Sequence, residues 1–134
     1  MQAPSSPAAT CVYTIRHFSA LRNVERIGHG SFTESKTWRG GKAILAKAQA
    51  TGTWMPIFFA AADRDGGLLY VACLDRVEFK RTNVPYTEYH FSQVRRLGGP
   101  APPLSSLRLL ETGEPLSRDF IRPYALCHTP LHLV

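Results

Sequence analysis

The chain has 134 residues, with 16 lysines and arginines against 10 acidic residues and 44% apolar content. That length supports one domain with a real core and is too short for two. The net charge of +6 favours a polyanionic partner such as nucleic acid, and the longest apolar stretch, MPIFFAAA, is too short to cross a bilayer as a helix, so no membrane partner is expected.

In chain order, residues 1–10 are rich in Pro, Ser and Ala and are expected to form a flexible N-terminal tail, leaving 11–134 as a single domain. CVYTIRHF reads as a strand through β-branched Val12 and Ile15. Ser19 is the expected N-cap of a helix over ALRNVERI, with Leu21, Val24 and Ile27 at helical spacing and Gly28 as its stop. SFTESKTWRGGK, residues 31–42, reads as a polar, basic loop that holds two aromatics. KAILAKAQA is a second helix by composition. MPIFFAAA is a strand buried on both faces, and DRDGG turns it into the long strand LLYVACLDRVEFK. After the loop RTNVPY, TEYHFSQV alternates, with Tyr89 and Phe91 on one face. GGPAPP breaks the chain, LSSLRLLETGEPLSRDF is a short helix and turn or an edge segment, and PYALCHTPLHLV is a last apolar segment. The expected fold is α+β, a mixed sheet of about five strands with two or three short helices.

The chemistry-bearing residues are few. Cys11, Cys73 and Cys127 have no zinc spacing and make no disulfide framework, and MQAPSSPAAT lacks the basic and apolar regions of a signal peptide. A reducing, cytoplasmic setting is expected, with no metal and no cofactor. There is no G-x-S-x-G elbow and no phosphate fingerprint. RGGK, residues 39–42, puts glycines before a helix, where backbone N–H groups would face a phosphate. Residues 31–50 carry four cations against Glu34, and residues 80–110 carry Lys80, Arg81, Arg95, Arg96 and Arg108 against Glu88. If the two stretches meet in space, they form one positive face. Aromatic walls beside cations suit a base held by stacking, with its phosphates held by charge. The candidate base-pocket residues are Phe32, Trp38, Tyr86 and Trp54, with Ser31 and Ser35 on the base edge. Lys36, Arg39, Lys42, Arg95 and Arg96 are the candidate phosphate ligands.

The order of these features resembles the PUA-like superfamily, particularly its EVE and YTH branches. VYTIRHFSALRNVERIGHGSF is similar to the family's opening strand, serine, short helix and first pocket aromatic, which falls on Phe32. PIFFAAADRDGGLLYVACLDRVEF resembles its central hairpin, so the likeness covers roughly residues 11–120. YTH readers usually present tryptophan at the Phe32 position, and the aromatic nearest to their second tryptophan is Tyr86. The resemblance implies a β-barrel-like sheet whose pocket takes one flipped or unpaired base of DNA or RNA, modified or not. The EVE branch also implies modified-DNA recognition beside a separately encoded restriction nuclease. Two other readings stay open. One is a small ASCH-like hydrolase of modified nucleosides using Glu34, Lys36 and Thr37, and the other is a protein-interaction module.

Overall fold

The computed structural model describes residues 6–64, 66–118 and 123–134. Seven strands form one sheet: β1 (Thr10–Arg16), β2 (His29–Glu34), β3 (Met55–Ala61), β4 (Leu68–Lys80), β5 (Tyr86–Arg96), β6 (Arg108–Leu109) and β7 (Tyr124–His128). Two helices, α1 (Phe18–Ile27) and α2 (Arg39–Ala50), join them, with single 3₁₀ turns at Leu104–Ser106 and Leu131–Leu133. The class is α+β, but the expectation of about five strands is too low by two. The missing strands are the two edges of the order β2-β5-β4-β3-β1-β7-β6. The sequence HGSFTE of β2 is polar because alternate side chains of an edge strand face water, and β6 is only two residues long. The sheet has free edges and is therefore not a closed barrel.

It is nevertheless strongly curled. β5 and β7 lie four places apart in the order, which in a flat sheet is about 19 Å. Tyr89 of β5 and Tyr124 of β7 nonetheless stack on opposite sides of one residue, Trp38, with ring centroids 4.1 and 4.5 Å from it. Sheet twist supplies the curvature, and the indole fills the hollow it creates.

The sheet is covered on both faces. α1 and α2 bury Leu21, Val24 and Leu45 against Val12, Ile57, Phe59, Leu74 and Phe91. On the other face, Phe58, Val71 and Cys127 pack beneath Leu97, Leu107 and Leu116. β3 therefore has almost no exposed position, as its continuous apolar run predicts. Its antiparallel pairing with β4 sets the expected hairpin at the centre of the sheet, and β1 runs parallel to β3 on the other side. α1 ends at Gly28 with φ +94°, as expected. Its start differs from the sequence reading. The N-cap position is His17, and the Phe18 N–H donates to the Asp63 carboxylate at 2.9 Å, a partner 45 residues away.

Of the expected tail, residues 1–5 lie outside the described residues. The Ala8 N–H donates to the Trp54 carbonyl at 2.7 Å, and the Thr129 N–H donates to the Ala9 carbonyl at 2.9 Å.

α1 is also tied to the sheet by Glu25. Its carboxylate accepts from Arg96 Nε and Nη2 at 3.0 and 2.9 Å and from the Tyr70 hydroxyl at 2.8 Å. The Arg96 and Tyr70 hydrogen bonds hold the Glu25 carboxyl below its ordinary range near 4.5. A carboxyl with a lowered folded-state pKa adds stability that is present above about pH 4.5 and is lost as pH falls through the lowered value. Glu25→Gln is therefore expected to narrow the gap between urea midpoints at pH 7 and pH 3. An unchanged gap would show that the Glu25 cluster does not couple folding to protons.

Candidate nucleic-acid interface

One buried hydroxyl brings the two basic stretches together. Thr87, on β5, is 0% exposed. Its Oγ1 donates to the Lys36 carbonyl at 2.6 Å and accepts from the Trp38 N–H at 3.2 Å. This pins the loop between β2 and α2 to the tip of the β4–β5 hairpin. There Phe79 pairs with Thr87 and Lys80 with Tyr86, and Lys42 Nζ lies 4.8 Å from the Phe79 ring centre. Lys36, Arg39, Lys42, Lys80, Arg81 and Tyr86 thus share one end of the sheet. Lys80 is partly neutralised, with Nζ 3.4 Å from Glu78 and 3.6 Å from Glu88. Lys36, Arg39, Lys42 and Arg81 make no ion pair among the described residues.

Arg95 and Arg96 do not join this face. They end β5, eight residues beyond Thr87, or roughly 26 Å along the strand. Arg96 is held by Glu25, and Arg95 Nη2 donates to the Leu133 carbonyl at 2.9 Å. Charge counting along the sequence does not show that Arg95 and Arg96 end β5 far from the Thr87 junction that holds the loop cations.

The aromatics are also redistributed. Trp38 is 0% exposed, sandwiched nearly parallel between Tyr89 and Tyr124 at 19° and 17°. Its indole Nε1 is buried and has no hydrogen-bond partner among the described residues. Phe32 is half-buried against Phe59, Tyr89 and Phe91. The Arg16 guanidinium lies 5.0 Å from the Phe32 ring centre, and its Nε donates to the Tyr89 hydroxyl at 3.0 Å. Trp54 is half-buried at the start of β3, where its backbone pairs with residues 6–8. Ser31 and Ser35 are exposed, and the Ser35 N–H and hydroxyl both donate to Glu34. Tyr86 is half-buried at the hairpin tip, paired with Lys80 on the other face of β5 from Thr87.

The glycines of RGGK are explained by packing rather than by phosphate. A Cβ on Gly41 would lie 2.8 Å from the Tyr124 hydroxyl oxygen, and one on Gly40 would lie 2.9 Å from Leu126 Cδ1. The Gly41 N–H, expected to face an anion, donates to Tyr124 Oη at 2.8 Å. Tyr89, Tyr124 and Arg16 are the members of this region that sequence reasoning missed. Tyr89 is legible as inward-facing, but nothing in PYALC shows that Tyr124 meets an indole 86 positions earlier.

Beside Tyr124 lies a cleft of about 560 Å³ between Lys36 and Thr37 on one side and Leu109, Leu110 and Thr112 on the other. A second cleft, about 990 Å³, lies on the opposite face between Ile15, Arg64, Leu104 and Leu116. The hydrolase trio divides here, because Lys36 and Thr37 line the first cleft while Glu34 Oε2 lies 3.7 Å from Arg16. The thiols are poor nucleophiles. Burial raises Cys127 to about 12, and burial with Asp75 beside it raises Cys73 to about 12. Among the described residues, Glu78, Glu88 and His90 bring ligand-type atoms within 4.8 Å of one another. Lys80 and Arg76 already compensate their charge.

No family model and no curated protein matches the sequence. Among solved structures, the chain is similar to the YTH domain of Zygosaccharomyces rouxii MRB1 protein, determined in complex with N6-methyladenosine RNA. Identity is 11% and the TM-score is 0.48, over 91% of this chain and 80% of that one.

Proposed function

We propose that this protein is a non-enzymatic nucleic-acid-binding reader domain of PUA-like type. It would hold a strand of RNA or DNA on the hairpin end of its sheet and take one base, modified or not, against an aromatic wall. The observation that carries this reading is the junction at Thr87. It brings Lys36, Arg39 and Lys42 to the Thr87–Phe79 pair at the hairpin end of the sheet, where Arg81 also lies, and none of these four makes an ion pair among the described residues. Cations on a rigid frame hold phosphates, and an aromatic ring at the same end of the sheet offers a face to an unstacked base.

Titration of fluorescent 12-mers of single- and double-stranded RNA and DNA, at two salt concentrations, tests the reading. Lys36→Ala, Arg39→Ala and Arg81→Ala are each expected to weaken all sequences alike. Each should flatten the salt slope by roughly 0.7 for single strands or 0.9 for duplexes. Arg26→Ala, on the exposed side of α1, should leave the slope unchanged. Wild-type affinity and slope in the triple variant would remove the basic face from the mechanism.

A further inference from the structure

We infer that the base is read in the cleft beside Tyr124, with the Tyr124 ring as its stacking wall, and that the cleft favours bases carrying an exocyclic amino group. This rests on the reader function proposed above and assigns it a site that the aromatic residues of the 31–42 loop do not provide. The stack Tyr89–Trp38–Tyr124 has a covered middle and one end turned towards open space. Trp38 is fully buried and Tyr89 is buried with it, whereas Tyr124 is half-buried and lines the cleft. A planar ligand adds to this stack without displacing any of its rings.

The wall is preorganised. Tyr124 Oη accepts from the Gly41 N–H at 2.8 Å, and the close approach of that backbone requires glycine at 41. At its other end the Pro123 carbonyl accepts from the buried Thr14 hydroxyl at 2.6 Å, and Tyr124 is the register partner of Thr14 in β1. A ring held at both its hydroxyl and its backbone loses little freedom when a base stacks on it.

The cleft has the size and chemistry of a small-ligand site. Its volume of about 560 Å³ is within the usual span of roughly 300–1,000 Å³. Leu109, Leu110 and Leu126 give it apolar walls, and Thr37, Thr112 and Glu111 supply polar atoms. Glu111 is an acceptor, so it pairs with an amino group and is mismatched to the carbonyl at the same place on uracil or thymine. Lys36 lines the cleft and also belongs to the basic face, so a base inside remains connected to phosphates outside.

The experiment is a titration of ¹⁵N-labelled full chain with adenosine, cytidine and uridine 5′-monophosphates and with ribose 5-phosphate. Amide shifts at Thr37, Leu110, Thr112 and Ala125 are expected with the adenine and cytosine nucleotides. Uridine monophosphate should bind about five-fold more weakly, and ribose 5-phosphate should leave those amides in place. Glu111→Gln should reduce the five-fold preference. Thr37→Trp fills the cleft while leaving Tyr89, Trp38 and Tyr124 themselves unchanged, and should cost about ten-fold in nucleotide affinity while 12-mers keep their salt-dependent binding. Tyr124→Leu should lose about ten-fold, with a thermal melt confirming that it folds. Nucleotide binding unaffected by Thr37→Trp, or shifts confined to the hairpin tip around Tyr86, would overturn the site even where 12-mers bind. If mononucleotides fill the cleft and 12-mers bind nowhere, the cleft stands and the basic-face reading falls.

Discussion

Trp38→Ala is expected to cost about 3–5 kcal/mol of folding stability, read as a large drop in urea midpoint with little change in slope. The indole has no exposed surface, fills the hollow of the curled sheet and touches β5 and β7 through two stacked tyrosines. Removing it opens a cavity between elements that no backbone ladder joins directly. Against a typical total of about 5–15 kcal/mol, a loss of this size leaves a domain close to its limit. Trp38→Phe should cost much less. It keeps a ring between the tyrosines and deletes the buried Nε1–H, which has no acceptor among the described residues and so carries a desolvation penalty of about 1–3 kcal/mol. A stable Trp38→Ala protein that loses only base preference would return this residue to the binding surface.

The second large effect is expected at Gly67. Its φ is +74°, and a Cβ there would lie 2.2 Å from the Pro102 carbonyl oxygen. That oxygen belongs to backbone and also accepts the Leu68 N–H at 2.8 Å. The positive φ alone costs an alanine about 1–2 kcal/mol, and relieving the clash separates the 97–107 link from the start of β4. Gly67→Ala is therefore expected to lose about 3 kcal/mol or more by the same denaturation measurement. Gly66→Ala is the internal control. No described residue lies within 4 Å of a Cβ placed there, so its effect should stay within about 0.5 kcal/mol. Equal effects at the two positions would show that the turn, rather than the Pro102 contact, controls the cost.

What was legible in the sequence was local. The apolar run of β3, the alternation of β5 and the Gly28 stop each follow from the spacing of neighbouring residues, and each stands in the structure as expected. Both helices begin two to three residues earlier than their sequence pattern indicates. In α1 the cap comes from distant Asp63, and in α2 Gly40 and Gly41 are helical because they pack against Leu126 and Tyr124. The sequence of β2 has the polarity of a loop because an edge strand pairs on one side only and needs few apolar residues. The site was legible in composition and hidden in placement. The cations of residues 36–42 are on the exposed face that their polarity suggests, while the tryptophan among them is drawn inward by two tyrosines from opposite sides of the sheet. Such a pull depends on sheet curvature, which has no signature in a window of ten residues.

The pairing of β1 with β7 also constrains how the protein is made. Thr10 faces His128, so the first strand waits for a partner synthesised 118 residues later. β1 can meanwhile pair in parallel with β3, but its other edge stays open throughout translation of the rest of the domain. Folding rates fall as such distant contacts come to dominate. A growing chain with an unpaired central edge and a half-built core is open to association with its neighbours on a crowded ribosome. Yield in a cell therefore depends on how quickly the last strand docks, and slowing synthesis over residues 97–123 lengthens that exposure without altering the finished protein.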